Sequence, residues 1–355
     1  ARIVGVLSQL DLMGFVSNHS HLIATQVAQA ASVDALRAAA LQIDGLIETL
    51  HGGGARIEVI AGLVSELNTQ VFARLWTLLA PAELVANSCL LVMGSEGRGE
   101  QILKTDQDNA LLLRDGFECP ELPEVAKAFA AALDAFGYPP CPGGIMLTTP
   151  LWRQPLAAFR ESLRQWLYGH DPEGPMNLAI FFDGAAVAGD ESLLQVARDH
   201  LDAIAAGHDT YLARFAAAAD QFADNAGFWQ RLTTKRDDQP LDLKKLGTFP
   251  IVHGVRALSL QYAVRESGTA ARLKKLQELG RIDDTLARDL LDALHFLMGL
   301  RLSHQLRQQA GGARPGNEVK PSELGALERE PLHDALAIVK RFRQFLRQHY
   351  RFDSL

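Results

Sequence analysis

The sequence predicts an α+β protein, in which a small unit of strands and helices lies between an N-terminal helical segment and a C-terminal helical bundle. Three observations predict this class. From about residue 21 to residue 80, apolar residues recur three and four positions apart, and a Gly-rich turn at residues 51–54 separates two helices. Between residues 88 and 187, short apolar runs typical of buried strands alternate with helical patterns. After Gly189 the helical pattern returns.

The predicted elements follow one another in a simple order. We predict strands at residues 89–93, 109–114, 144–147 and 177–183, with helices at residues 121–136 and 155–168 among them. The C-terminal helices are predicted at residues 191–206, 210–228, 251–266, 270–279, 283–309 and 327–349. These elements group into four predicted domains, at residues 1–17, 18–80, 81–190 and 191–355.

Composition narrows the function classes. The 355 residues are 48% hydrophobic and 22% charged, which is ordinary for a globular protein, and the net charge of −7 argues against nucleic acid as the main partner. The three cysteines are widely spaced and form neither a disulfide framework nor a zinc motif. No apolar run approaches the length of a membrane span. We therefore expect a cytoplasmic protein that does not bind membranes.

The most informative motif runs from Met93 to Asn109. An apolar run ends in Gly94-Ser95, and eleven residues after Ser95 come two aspartates, Asp106 and Asp108, followed by another apolar run. Side chains of a strand alternate between faces, so both carboxylates are predicted to project from one side. Two such carboxylates repel unless a cation lies between them, and hard divalent cations prefer oxygen ligands. Since the N–H groups of a glycine turn can hold a phosphate, the motif predicts a metal–nucleotide site.

The glycine turn does not match three better-known motifs. A dinucleotide fingerprint has the spacing Gly-x-Gly-x-x-Gly, whereas Gly94, Gly97 and Gly99 give Gly-x-x-Gly-x-Gly. A Walker loop ends in Gly-Lys-Ser/Thr and a nucleophile elbow needs Gly-x-Ser-x-Gly, and neither occurs here. Two plainer alternatives stay open on spacing alone: a turn that only joins two elements, and a pair of exposed acids on an edge strand.

The same residues resemble a known family. The run from Gly94 through Arg98, Glu100 and Gln101 to residues 105–109 is similar to the nucleotidyltransferase motif of the DNA polymerase β superfamily. More specifically, it looks like the nucleotidyltransferases related to PII-protein uridylyltransferase. The resemblance covers roughly residues 20–350 and includes four further segments, at residues 137–146, 152, 242–245 and 250–256. It implies a polymerase β-like domain built on a small mixed sheet, flanked by the helical segments.

The resemblance also implies roles for individual residues. Asp106, Asp108 and a third carboxylate on a later strand, Asp183, would be catalytic and would hold two Mg²⁺ ions; Asp190 is a rival for the third position, but more typical of a helix cap. The nucleotide-binding residues would be Gly94, Ser95, Arg98 and Lys244. For Arg98 the alternative is an ion pair with a neighbouring Glu, and for Lys244 a solvated position. Relatives commonly have an Arg soon after the third carboxylate, and this chain has none there.

The function that the resemblance implies is Mg²⁺-dependent transfer of a nucleoside monophosphate from an NTP to a hydroxyl group. The acceptor would be a protein, such as a PII-like signalling protein, or a small molecule, and the transfer would be uridylyl- or adenylyltransferase-like. The alternative is a non-catalytic nucleotide-sensing module.

Family members often carry CBS or cyclic-nucleotide-binding domains upstream. Residues 3–12 are similar to the closing strand and helix of a CBS domain, and the chain begins inside this strand-like run. We therefore expect a piece of a longer protein, with residues 1–17 as the remnant of an upstream domain. Such upstream domains would couple to the sensing module or form a homodimer.

Overall fold

The computed structural model describes residues 9–220 and 240–354. Within them the chain forms two compact units, one made of the residues up to 161 together with Asp183–Arg198, the other of Ser162–Phe182 and the residues from 199 onward. A small mixed sheet with flanking helices confirms the predicted α+β class. The four predicted domains stay a prediction. The first helix, Gln9–Gln29, continues across the predicted boundary at residue 17, and residues 1–8 of the predicted CBS-like segment lie outside the described residues.

The first unit is built around a four-stranded sheet. Its strands are β1 Ser88–Val92, β2 Asn109–Leu113, β3 Arg153–Pro155 and β4 Ala185–Gly189. The order is β3-β2-β1-β4, with β1 antiparallel to both of its neighbours and β2 parallel to β3. The two central strands are buried on both faces, which explains their uninterrupted apolar sequences.

In the part of the chain that the structure describes, seven α-helices lie wholly within the first unit: α1 Gln9–Gln29, α2 Val33–Ala40, α3 Gln42–Gly52, α4 Ile57–Leu79, α5 Ala82–Ala86, α6 Gly94–Gly97 and α7 Leu122–Ala135. Helix α4 packs against β4 and α7 through a buried face with the expected three- and four-residue spacing. The rings of Trp76 and Phe129 meet edge to face with centroids 5.6 Å apart. Phe72 meets Tyr138 in the same way at 5.2 Å.

The remaining α-helices among the described residues are α8 Leu156–Tyr168, α9 Gly174–Phe182, α10 Ser192–Ala205, α11 Asp209–Ala217, α12 Phe249–Gln261, α13 Thr269–Glu278, α14 Asp284–Ala310 and α15 Ala326–Tyr350. A two-stranded ladder pairs β5 Leu241–Asp242 with β6 Glu318–Val319. Most of these helices match the predicted ones within two residues. The end of the predicted helix at residues 210–228 lies outside the described residues.

Helix α12 occupies the interior of the second unit. Its residues 250–260 are all buried, including His253 and Arg256, which bond to each other. Arg256 Nη1 donates to His253 Nδ1 at 2.9 Å, so the other ring nitrogen carries the hydrogen and donates to the Phe215 carbonyl at 2.7 Å. The tautomer that satisfies both bonds leaves this buried imidazole neutral.

Two of the predicted strands are wrong. Residues 177–183 were predicted to be a strand, but residues 174–182 form helix α9, and the strand next to β1 is β4, three residues further on. A short buried apolar run fits a strand or a helix equally well, and Pro175 near its start favours the helix. Residues 144–147 are irregular, with a bend at Met146 and a turn at Leu147, and do not form a strand; the edge strand beside β2 is β3.

Across the described ranges, no helix combines the length and the apolar character that a membrane span requires.

Candidate metal and nucleotide site

The Gly-Ser turn directly continues the sheet. Beyond the end of β1, the Met93 amide donates to the Asp108 carbonyl at 2.8 Å, which extends the antiparallel pairing with β2 by one residue. This bond places Gly94 beside Asp108, where Gly94 has a φ of +58°. A Cβ on Gly94 would lie only 2.6 Å from Asp108 Oδ2. Glycine is therefore required here both by the backbone and by the carboxylate that faces it.

The two aspartates lie in an extended segment immediately before β2. Asp106 is exposed, Gln107 is buried and Asp108 is half-buried, so the predicted alternation of side chains is observed. Gln107 fixes this alternation from the opposite face. Its side-chain amide donates to the carbonyls of Ala130 at 3.0 Å and Tyr138 at 2.8 Å. The buried amide thereby holds both carboxylates on the outer side.

Asp106 and Asp108 form a group with Cys141 that could hold a cation. One ligand atom from each residue lies within 4.8 Å of the other two. Burial, and after it the charge of Asp108, raises the pKa of the Cys141 thiol to about 11. Two oxygen donors and one sulfur donor suit a single divalent cation.

Asp183 lies on the other side of β1 and is fully buried. It follows helix α9 and precedes β4, and its Oδ2 accepts a hydrogen bond of 2.5 Å from Arg98 Nη1. Arg98 Nε also donates to Glu100 at 2.7 Å. Gly97 permits this arrangement, because a Cβ there would lie 2.1 Å from the Asp183 carbonyl oxygen. Among the described residues, the cation-binding group of Asp106 and Asp108 does not include Asp183.

Arg98 is held by these two carboxylates. Burial acts to lower the pKa of its guanidinium, but the charges of Glu100 and Asp183 and the hydrogen bonds to both raise it above its ordinary value. Arg98 therefore stays charged and is held in an ion pair. An ion pair with a neighbouring Glu is the alternative to a phosphate contact that the sequence leaves open for Arg98. A role in nucleotide binding stays a prediction for Arg98.

Glu96 is a further carboxylate at the same turn, and no role is predicted for it from the sequence. It is 8% exposed, and its Oε2 accepts a hydrogen bond of 3.3 Å from Asn68 of helix α4. Burial raises the pKa of Glu96 to about 8, although the Asn68 bond acts to lower it. Asn68 in turn accepts a 2.6 Å bond from the Tyr138 hydroxyl. The sequence contains one signal for this contact, because Asn68 is a polar residue within the apolar stripe of the helix predicted before residue 80.

The side-chain amide of Gln101 joins Glu96 to the segment that carries the aspartates. With its NH₂ group facing Glu96, the Gln101 oxygen accepts from the hydroxyl of Thr105 at 2.6 Å and from its backbone amide at 3.0 Å. Ser95, Glu96, Asp106 and Asp108 line one pocket at the end of β1. The structure thus brings together four of the predicted site residues, Gly94, Ser95, Asp106 and Asp108.

Lys244 belongs to the second compact unit. It is exposed at the start of a π-helical turn, Lys244–Thr248, where its backbone amide donates to Asp242 at 2.9 Å. Its predicted contact with a nucleotide stays a prediction.

The mixed sheet, the Gly-Ser turn and the paired aspartates define a class of α+β domain with a group that could hold a cation at the end of strand β1. Comparison with protein families identifies the class more closely. Residues 41–173 match the model described as "Putative nucleotidyltransferase DUF294", and residues 209–350 match "Putative nucleotidyltransferase substrate binding domain". Together they cover more than three quarters of the chain, which belongs to this nucleotidyltransferase family. A comparison with curated proteins found no match.

Proposed function

We propose that this protein transfers a nucleoside monophosphate from an NTP to a hydroxyl group, with Mg²⁺ as the cofactor. The observation that carries the proposal is the open pair of carboxylates, Asp106 and Asp108, beside Gly94 in the family's nucleotidyltransferase domain. A divalent ion held there would lower the pKa of an acceptor hydroxyl and neutralise charge on the triphosphate.

The chain's own residues would then bind and orient the donor. The first amides of the turn that begins at Gly94 have no partner within the helix, so they can donate to phosphate oxygens. Ser95 lines the same pocket as both aspartates, and its hydroxyl would add a further donor. Asp106 and Asp108 would hold the cation through their carboxylate oxygens. Asp183 is the proposed third carboxylate, and it would serve only after its bond with Arg98 rearranged.

The acceptor is the finer part of the proposal. By family resemblance we propose a hydroxyl of a signalling protein such as a PII-like protein, or of a small molecule, with uridylyl or adenylyl transfer in the cytoplasm. The region that matches the substrate-binding family model would recognise this acceptor.

The test is pyrophosphate release with Mg²⁺ and each of the four NTPs in turn, with cell extract as the source of acceptor. We expect Asp106→Asn and Asp108→Asn to reduce the rate by roughly 10²-fold or more, because loss of an electrostatic contact made in the transition state has effects of that size. Asp134→Asn is the matched control, since Asp134 is exposed on helix α7 of the same unit. Wild-type rates in folded Asp106 and Asp108 variants, with folding checked by circular dichroism, would exclude this function.

A second function is favoured by the burial of Asp183 against Arg98. In this alternative the protein senses a nucleotide without turnover, because its third carboxylate stays in the ion pair and no Arg follows Asp183 within the next three residues. Saturable NTP binding by calorimetry, without pyrophosphate release under any of the four conditions, would favour the sensor over the enzyme.

A further inference from the structure

Cys141 occupies a defined position beside the two aspartates. It lies between Pro140 and Pro142, and its carbonyl accepts a hydrogen bond of 2.9 Å from the Gly144 amide, which closes a tight turn. The next residue in this loop to contact the sheet is Ile145, whose carbonyl accepts from the Asn109 amide at 3.0 Å. The Asn109 side chain accepts from the Leu147 amide at 2.9 Å. These bonds tie the loop to the first residue of β2, directly after Asp108.

The thiol is consequently placed where a third ligand is needed. Its sulfur lies within 4.8 Å of a carboxylate oxygen from both aspartates and within hydrogen-bonding reach of Asp108. Atoms that bind one zinc-sized ion at 2.0–2.3 Å are roughly 3.5 Å apart in tetrahedral geometry. Since Asp106 is exposed and Asp108 and Cys141 are half-buried, side-chain rotation can close the remaining distance. Asp183, the residue predicted for this position, is bonded to Arg98 instead.

We propose that Cys141 is the third protein ligand of the cation held by Asp106 and Asp108, so that the site also binds thiophilic divalent cations such as Zn²⁺ and Co²⁺ beside the Mg²⁺ of the proposed function. Carboxylates alone suit Mg²⁺, whereas a mixed sulfur and oxygen set suits the borderline transition metals. Binding replaces the thiol proton, which leaves to solvent as the sulfur–metal bond forms. The proposal concerns the same carboxylates as the proposed function and rests on their binding a cation.

The test is a titration of the metal-free full chain with Co²⁺, without nucleotide, in a phosphine reductant that adds no thiol. A cobalt–thiolate bond gives a charge-transfer band in the near ultraviolet, which carboxylate ligands do not give. We expect the band in the wild type and in Cys119→Ser, and we expect its loss in Cys141→Ser. Cys119 is the matched control because it is also half-buried in the same unit but stands outside the cation-binding group.

The competing outcomes are separable. We expect Cys141→Ser to weaken Co²⁺ and Zn²⁺ binding at least ~10-fold, since even outer-shell changes cost that much, and to change Mg²⁺ binding by less. Asp106→Asn, a second variant with the loop intact, should also weaken Co²⁺ binding. Co²⁺ binding without the band, a band that persists in Cys141→Ser, or no Co²⁺ binding at all would each overturn the proposal. The band with no pyrophosphate release would instead retain it and exclude the proposed function.

Discussion

Asp108 and Asp183 lie on opposite sides of the same turn. Each comes from a segment next to a neighbour of β1: Asp108 precedes β2 and faces Gly94, whereas Asp183 precedes β4 and faces Gly97 through its backbone. Asp108 is half-buried, with Asp106 and Cys141 beside it. Asp183 is fully buried and bonded to Arg98.

The difference shows that one turn can support carboxylates in different electrostatic states. A buried carboxylate is stable only if its charge is balanced or removed. Arg98 balances Asp183 from within the chain, and burial removes the charge of Glu96 by raising its pKa. The pair of Asp106 and Asp108 faces outward, where a bound cation can balance it. We infer that the open pair is the part of the turn available for a ligand.

The largest expected effect comes from removing the cation beside Asp183. Arg98→Met leaves a buried carboxylate without the guanidinium that balances it, and breaking such a pair costs about 3–5 kcal/mol. We expect a loss of that size in the free energy of unfolding, measured by urea denaturation. In the Arg98→Met background, Asp183→Asn should restore part of the stability. A loss below about 1 kcal/mol would show that the pair does not balance a buried charge.

Substitutions of Gly97 and Gly94 should separate the two sides of the turn, one by its effect on stability and the other by its effect on cation binding. In Gly97→Ala the new Cβ meets two backbone oxygens, those of Asp183 at 2.1 Å and Val92 at 2.7 Å, which cannot move without shifting strands. We expect a destabilisation of about 1–3 kcal/mol in the same denaturation experiment. In Gly94→Ala the Cβ meets the Asp108 side chain, so the clearer result should be weaker cation binding by calorimetry. If Gly97→Ala and Gly94→Ala weakened cation binding equally, the two sides of the turn would not differ in this way.

Glu96 offers a test by pH. Its pKa is about 8 in the folded protein against an ordinary value of 4.5, so the unfolded chain ionises first as the pH rises. Wild-type stability should therefore be greatest below pH 4.5, relative to Glu96→Gln, and fall by about 1 kcal/mol per pH unit until about pH 8. Thermal unfolding of both proteins from pH 5 to 9 measures the difference. Parallel curves for the two proteins would show that Glu96 is ionised in the folded state.

Arg114 gives the smallest expected effect and serves as the control for Arg98. Its guanidinium lies 2.5 Å from Asp190, the same type of pair as Arg98 with Asp183, but the Arg114 side chain is 52% exposed. Exposed pairs contribute about 0–1 kcal/mol because water already solvates both charges. Arg114→Met should therefore change the free energy of unfolding by less than about 1 kcal/mol. A loss as large as that of Arg98→Met would mean that burial does not explain the difference.

The sequence predicts the Gly-Ser turn and the paired aspartates better than the rest of the sheet. Strand β1 is a continuous apolar run that ends in Gly-Ser, and strand β2 is a continuous apolar run that begins directly after Asp-x-Asp. Both features are visible without a structure. Helix α9 was predicted as a strand, because a buried run such as residues 179–182 fits either class, and β4 was not predicted, because it is an Ala-rich edge strand with little β propensity.

The position of Cys141 beside the aspartates and the ion pair of Arg98 with Asp183 could not be predicted for a different reason. Cys141 is more than 30 residues from Asp108, and Asp183 is 85 residues from Arg98, so both contacts depend on the path of loops around the sheet. Loop paths are set by individual bonds, such as that of the Ile145 carbonyl to Asn109, which have no periodic signature.

Helix α4 defines how much of the chain is needed to keep this site intact. Asn68, Phe72 and Trp76 contact Glu96, Tyr138 and Phe129, so the helix covers the inner side of the turn. A recombinant fragment beginning at residue 81 would contain every carboxylate discussed above, yet two aromatic rings would face water. We expect such a fragment to aggregate. A gene fusion or domain exchange that preserves the site should therefore have its junction before the first residue of α4.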